Sequence, residues 1–150
     1  MAITAFLTSD HVICGLRVAD KPQLLQELAR RASEYLEIPQ KTVLEALQRR
    51  ENLGSTGLGE GFALPHASVS GLKTMFGMFA KLNRPIAFEA IDGKPVDLVF
   101  LLLIPEEAGG AHVAALAAIS RLVRDPACAA AVRKANNAAA LYAVLTVAGT

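Results

Sequence analysis

The residues with the clearest chemical potential run Arg50-Glu51-Asn52-Leu53-Gly54-Ser55-Thr56-Gly57-Leu58-Gly59-Glu60-Gly61-Phe62-Ala63-Leu64-Pro65-His66. Glycines mixed with hydroxyls suggest a phosphate cradle, but three familiar patterns fail on definite residues. A P-loop counted from Gly54 reaches Gly59 and then meets Glu60 and Gly61, where a lysine and a hydroxyl residue are required. A carboxylate in the lysine's place would repel nucleotide phosphates. A dinucleotide fingerprint begun at Gly57 needs glycine where Phe62 stands. A nucleophile elbow at Ser55 needs glycine where Leu53 stands.

His66 remains. Pro65 disfavours helical geometry at Leu64, so the short apolar segment before His66 is expected to be extended, with the histidine at a strand end near the surface. Imidazole titrates near pH 6.5, so a large neutral fraction is available as a nucleophile at pH 7. Phosphoryl transfer needs an aligned nucleophile and donors for the equatorial oxygens. The Ser55 and Thr56 hydroxyls, the glycine amides and the Arg50 guanidinium are donors of the right kind. Plainer readings stand beside these. His66 can be a structural histidine, Ser55 and Thr56 can shape a turn, and Arg50 with Arg49 can complement a helix dipole.

The rest of the chain limits what this segment can serve. Of the 150 residues, 53% are hydrophobic and 19% charged, enough apolar material to bury one domain's core. A net charge of +1, few aromatics and no tryptophan give neither a basic footprint nor a stacking surface for nucleic acid. The first ten residues lack a basic region and a long apolar stretch, so no signal peptide is expected. The purely apolar run Leu98 to Ile104 is far short of the ~20 residues of a membrane span. Cys14 and Cys128 stand apart without a Cys-x-x-Cys pairing, as expected of reduced thiols in a cytoplasmic protein. Glu106 and Glu107 with His112 match no recognised ligand spacing, so no metal is expected.

The elements that must position His66 can be read from periodicity. Residues 21–36 form a helical stripe through Leu24, Leu25, Leu28, Ala29, Ala32, Tyr35 and Leu36, with Asp20 and Gln23 as its cap. A second helix is expected from about Pro39 to Glu51, with Val43, Leu44 and Leu47 inward and Gly54 as its stop. Residues 54–71 are too glycine-rich for a helix. Met75 to Leu82 and Asp97 to Ile104 are expected strands, the second apolar enough to be covered on both faces. An Asp92-Gly93 turn lies between them. Helical period returns from Gly110 to Arg124, Asp125-Pro126 stops that helix and caps the next, and Asn137 caps the last. His112 lies on the apolar stripe of its helix, as a core histidine would. It is also near the helix start, where an imidazole N–H and free amides could face a phosphoryl group. His11 is expected to be an ordinary surface or loop residue. The fold class is α/β, a single layered domain with a mixed β-sheet flanked by helices.

The run from Arg50 to His66, with Gly71-Leu72, resembles the active-site signature of the enzyme IIA domains of the bacterial phosphotransferase system, in the fructose–mannitol–nitrogen-regulatory class. The resemblance continues through residues 84–100, His112, residues 120–125 and Leu141-Tyr142, and so covers about Phe6 to Leu145. The blocks Gly54 to Gly59 and Pro85 to Gly93 make the chain most similar to the nitrogen-regulatory type. One departure is Ala67-Ser68, where many nitrogen-type members carry glycine and lysine. It bears on subtype and partner docking.

The resemblance implies a phosphocarrier that takes phosphate on His66 from HPr or its nitrogen-branch paralogue and requires no cofactor. It implies that His112 is the second active-site histidine and Arg50 the active-site arginine. A phosphotransferase component controlling targets by its phosphorylation state is the leading expectation, although the sequence names no target. The alternative is a sugar-specific subunit relaying phosphate to a IIB cysteine. Retention of Arg50, His66 and His112 argues against a pure interaction protein that has lost transfer.

Overall fold

A computed structural model describes residues 1–149. Two 3-10 turns, Ile3–Ala5 and Ser9–His11, lead into β1 (Val12–Leu16), α1 (Lys21–Leu36) and α2 (Gln40–Asn52). Three short strands follow, β2 (Gly57–Gly59), β3 (Phe62–Ala63) and β4 (His66–Val69). The long pair β5 (Phe76–Ile86) and β6 (Val96–Pro105) comes next. The chain closes with α3 (Ala111–Arg124), α4 (Pro126–Lys134) and α5 (Ala138–Ala148).

The six strands form one mixed sheet in the order β1-β5-β6-β3-β2, with β4 also pairing with β6. β6 is central. It runs antiparallel to β5 and parallel to β3 and β4, which occupy successive stretches of its other edge. Its side chains alternate across the sheet. Val99, Leu101 and Leu103 pack in the cluster that contains Leu24, Leu28, Val43 and Leu47 of α1 and α2. Leu98, Phe100, Leu102 and Ile104 pack in the cluster that contains Ile119, Leu122, Val132, Leu141 and Leu145 of α3, α4 and α5. The two-sided burial explains why β6 reads as a nearly unbroken apolar run.

The expected caps form. Asp20 accepts the Gln23 amide at 2.9 Å, Asp125 the Ala127 amide at 3.0 Å, and Asn137 the Ala140 amide at 2.8 Å. The Asp92-Gly93 turn is present, with Gly93 at φ 73° and its amide on the Ala90 carbonyl. The segment before His66 is extended as expected, in β3, and His66 stands at an end of β4. Three features differ from expectation. β1 and β2 have no counterpart among the expected strands. His11 packs its half-buried ring against Tyr35 and Phe76, with ring centroids 4.2 and 4.5 Å apart, and so ties the N-terminal turn to α1 and β5.

Candidate functional site

His66 is the first residue of β4, opposite Leu102 of β6 and half-buried. The preceding Pro65 carbonyl accepts the Leu102 amide at 3.0 Å, which pins the chain just before the histidine. Nδ1 of His66 lies 2.7 Å from the Leu64 carbonyl oxygen. A carbonyl oxygen only accepts, so in the neutral ring Nδ1 carries the proton and Nε2 keeps its lone pair. The ring thus has one nitrogen tied to the backbone and the other available as a nucleophile.

Burial pushes the His66 pKa below its ordinary 6.5. The Leu64 hydrogen bond and the Glu51 charge oppose that shift, whereas the Arg50 and His112 charges reinforce it. The fold therefore brings the adjacent Arg50 and Glu51 at the end of α2, and the distant His112, within electrostatic reach of one imidazole. Arg50 lies in the last turn of α2, and its Nη1 donates to the Gly54 carbonyl at 2.9 Å. His112 is the second residue of α3, a helix whose N-terminus has no side-chain cap. Two of its leading amides are already engaged, Ala111 with the Ala108 carbonyl at 3.3 Å and Val113 with the Gly110 carbonyl at 3.1 Å, so His112 itself is the group at the positive end of the dipole.

Ser55 and Thr56 follow, but their hydroxyl hydrogens point elsewhere. Ser55 Oγ donates to the Phe88 carbonyl at 2.8 Å and accepts the Gly57 amide at 3.1 Å. The buried Thr56 donates its hydroxyl to Glu51 Oε1, and its amide to Glu51 Oε2 at 3.2 Å. Both residues shape the loop, which turns back through Glu60 and Gly61, each at positive φ (53° and 83°). Among the described residues no group of three or more His, Cys, Asp or Glu could hold a metal ion.

Sequence reading assigned no role to Glu51. Its carboxylate is 5% exposed, pairs with Lys21 Nζ at 2.8 Å and accepts both Thr56 hydrogens. A signal was present. A carboxylate in the last turn of a helix opposes the dipole and so calls for a specific partner.

The family model described as phosphoenolpyruvate-dependent sugar phosphotransferase system, EIIA 2, matches residues 5–147. A nitrogen regulatory protein of Bradyrhizobium diazoefficiens is 47% identical over 147 residues, spanning 98% of this chain and 96% of that protein. One from Escherichia coli is 35% identical, spanning 97% of this chain and 90% of that protein. The crystal structure of nitrogen regulatory protein IIA-Ntr from Neisseria meningitidis superposes with a TM-score of 0.89 at 34% identity, covering 94% of this chain and 97% of that one. Among the described residues no helix is long and apolar enough to cross a membrane.

Proposed function

This chain belongs to the phosphoenolpyruvate-dependent sugar phosphotransferase system EIIA 2 family, and on that premise we propose that it is phosphorylated on Nε2 of His66 by a phosphohistidine carrier of the HPr type. The observation that carries the proposal is the 2.7 Å contact between His66 Nδ1 and the Leu64 carbonyl, which leaves Nε2 as the free lone pair. That lone pair attacks the phosphorus of the donor. The donor's P–N bond breaks, its electron pair returns to the donor imidazole, and a new P–N bond forms on His66. Little covalent help is needed, because this chemistry depends on alignment and on charge stabilisation.

Arg50 and His112 act on the equatorial oxygens in this mechanism, with His112 at the positive end of α3. Ser55 and Thr56 contribute by holding the loop. Exposed Leu53, beyond the end of α2, and exposed Val113, beside His112, give the carrier a small apolar footing.

Phosphorylation adds a charge of about −1.5 to −2 at a half-buried site, which is sufficient to create or abolish a partner surface without refolding the domain. We read the phosphorylated and free forms as two states of a regulator, in keeping with its likeness to nitrogen regulatory proteins.

The test is incubation with phosphoenolpyruvate, enzyme I and an HPr-type carrier, followed by intact-mass measurement. Wild type gains one phosphate that is labile in acid and stable in alkali, as a phosphoramidate is, and His66→Ala gains none. Phosphate uptake by His66→Ala, or an acid-stable adduct, would remove His66 from its role. Offering the phosphoprotein to fructose- or mannitol-type IIB domains separates regulation from sugar transport. Fast stoichiometric transfer to a IIB cysteine would establish the transport reading.

A further inference from the structure

We infer that Glu51 is a positioning residue for His66, holding the imidazole in its Nδ1–H tautomer through Thr56 and Leu64. The inference rests on the phosphorylation of His66 proposed above for its functional meaning, but the connection itself is geometric. His66 Nδ1–H donates to the Leu64 carbonyl at 2.7 Å. The Leu64 amide donates to the Thr56 carbonyl at 2.9 Å. Thr56 in turn donates both its amide and its hydroxyl to the two carboxylate oxygens of Glu51. Each link from the ring outward is a hydrogen bond donated toward Glu51, and Pro65, between Leu64 and His66, has no N–H to offer a competing arrangement.

The anchor at the far end is fixed on three sides. The Glu51 side chain is 5% exposed and its Lys21 partner 14%, a pair largely withdrawn from water. Lys21 stands 4.4 Å from the centroid of the Phe88 ring, and its Nζ donates to the Phe88 carbonyl at 3.4 Å. Thr56 is itself 3% exposed. Such a carboxylate cannot drift without leaving Lys21 only its longer 3.8 Å pairing with exposed Glu89, and the Thr56 hydrogens unpaired. Thr56 is therefore fixed, Leu64 is held to it through its amide, and the carbonyl on the other side of Leu64 is the acceptor for the imidazole. Glu51 touches neither the ring nor an incoming phosphoryl group. It acts by keeping the Leu64 carbonyl where Nδ1–H must point.

The experiment reads the tautomer directly, without a phosphoryl donor, by long-range nitrogen–proton NMR on the His66 ring at neutral pH. Wild type is expected to show a protonated Nδ1 and an unprotonated Nε2. Glu51→Ala is expected to show a mixed tautomer, with phosphorylation by the carrier slowed at least about tenfold, the scale on which a small misplacement of a reacting group is felt. Glu51→Gln, which still offers a carbonyl oxygen to Thr56, should recover most of the wild-type signal. Thr56→Val removes only the hydroxyl and tests the same chain should Glu51→Ala fail to fold; it should shift the tautomer in the same direction by a smaller amount. An unchanged Nδ1–H signal in folded Glu51→Ala, or in Thr56→Val where the alanine variant is unfolded, would overturn the assignment. If instead His66 proved not to be phosphorylated, the tautomer shift would still occur, so the two proposals fail separately.

Discussion

Gly57 lies so close to Ala90 that a Cβ on the glycine would fall 2.7 Å from the Ala90 Cα. Two sequence blocks meet at this contact. Ser55 Oγ donates to the Phe88 carbonyl at 2.8 Å, the Ile91 amide to the Gly57 carbonyl at 3.4 Å, and the Glu60 amide to Asp92 at 2.9 Å. The loop leading to His66 is thereby laced along its length to the turn before β6.

Gly57→Ala should accordingly destabilise the fold by about 1–3 kcal/mol, the usual cost of forcing atoms into a filled site. It should also slow phosphorylation, because the loop and the turn must part. Urea unfolding and initial transfer rates on one preparation check both. Unchanged stability would mean that the two segments move apart without penalty.

Lys81 makes a separate prediction, remote from the site. Its Nζ donates to the carbonyls of Val132, Arg133 and Ala135 at 3.3, 2.8 and 2.8 Å, closing the C-terminal end of α4. Helix C-termini leave carbonyls unpaired, and a cation there satisfies them and complements the dipole. Lys81→Met keeps the stem and deletes the donors, so it should cost about 1–3 kcal/mol in denaturant unfolding. Phosphorylation of the folded fraction should be unaffected. A loss of transfer without a loss of stability would contradict this account.

The helices were legible because their signals are local. Asp20, Asp125 and Asn137 each cap within three residues of themselves, and the apolar stripe of α1 repeats at helical spacing. The strand β1 was not legible. Its burial alternates poorly, and at Gly15, with φ 83°, its pairing with β5 slips register. Strands as short as β2 and β3 carry no periodicity to detect. The residues Arg50, His66 and His112 could be singled out by type and resemblance, but the hydrogen-bonded route from Glu51 to His66 could not. Its middle links are main-chain groups of Thr56 and Leu64, on which side-chain identity has no say, and its end groups meet only through the folding of the loop. His11 was misplaced for a similar reason, since its partners Tyr35 and Phe76 are brought to it by tertiary packing.

Two histidines should give the protein an acid-sensitive stability. Burial lowers the pKa of His11 below 6.5, against the opposing charge of Asp10, and burial likewise lowers that of His66. Above pH 6.5 both rings are largely neutral, folded or unfolded. As the pH falls below 6.5 toward the folded-state values, the unfolded chain takes up protons that the native rings resist, so stability declines. Urea midpoints measured across this range should fall with acid in wild type and fall less in His11→Gln. An identical slope in both proteins would show that His11 does not contribute. The His66 ring should titrate below 6.5 by NMR, and Arg50→Met should raise its midpoint by removing a nearby cation. Because only the unprotonated ring accepts phosphate, the transfer rate should follow the same titration curve.

His112 allows the sharpest separation of a functional from a structural role. It is the second residue of α3, half-buried, and its charge acts on His66. An imidazole there can place an N–H against a phosphoryl oxygen, beside amides that no side chain caps. In the proposed mechanism the P–N bond forms at His66, so loss of His112 should leave phosphorylation possible but slow. His112→Ala is expected to lower the transfer rate by about a hundredfold, the scale of losing one donor to a charged transition state. Its thermal stability should remain close to wild type, since the deeply packed residues of α3 are Ala115, Ala118, Ile119, Leu122 and Val123. A histidine serving only the core would give the reverse result, a lowered melting temperature with unchanged kinetics. His112→Gln provides the discriminating control, because an amide N–H can replace a hydrogen-bond donor but cannot carry a charge. Partial recovery of rate in His112→Gln would assign the effect to hydrogen bonding, and none would assign it to charge. Wild-type rates in both variants would remove His112 from the site.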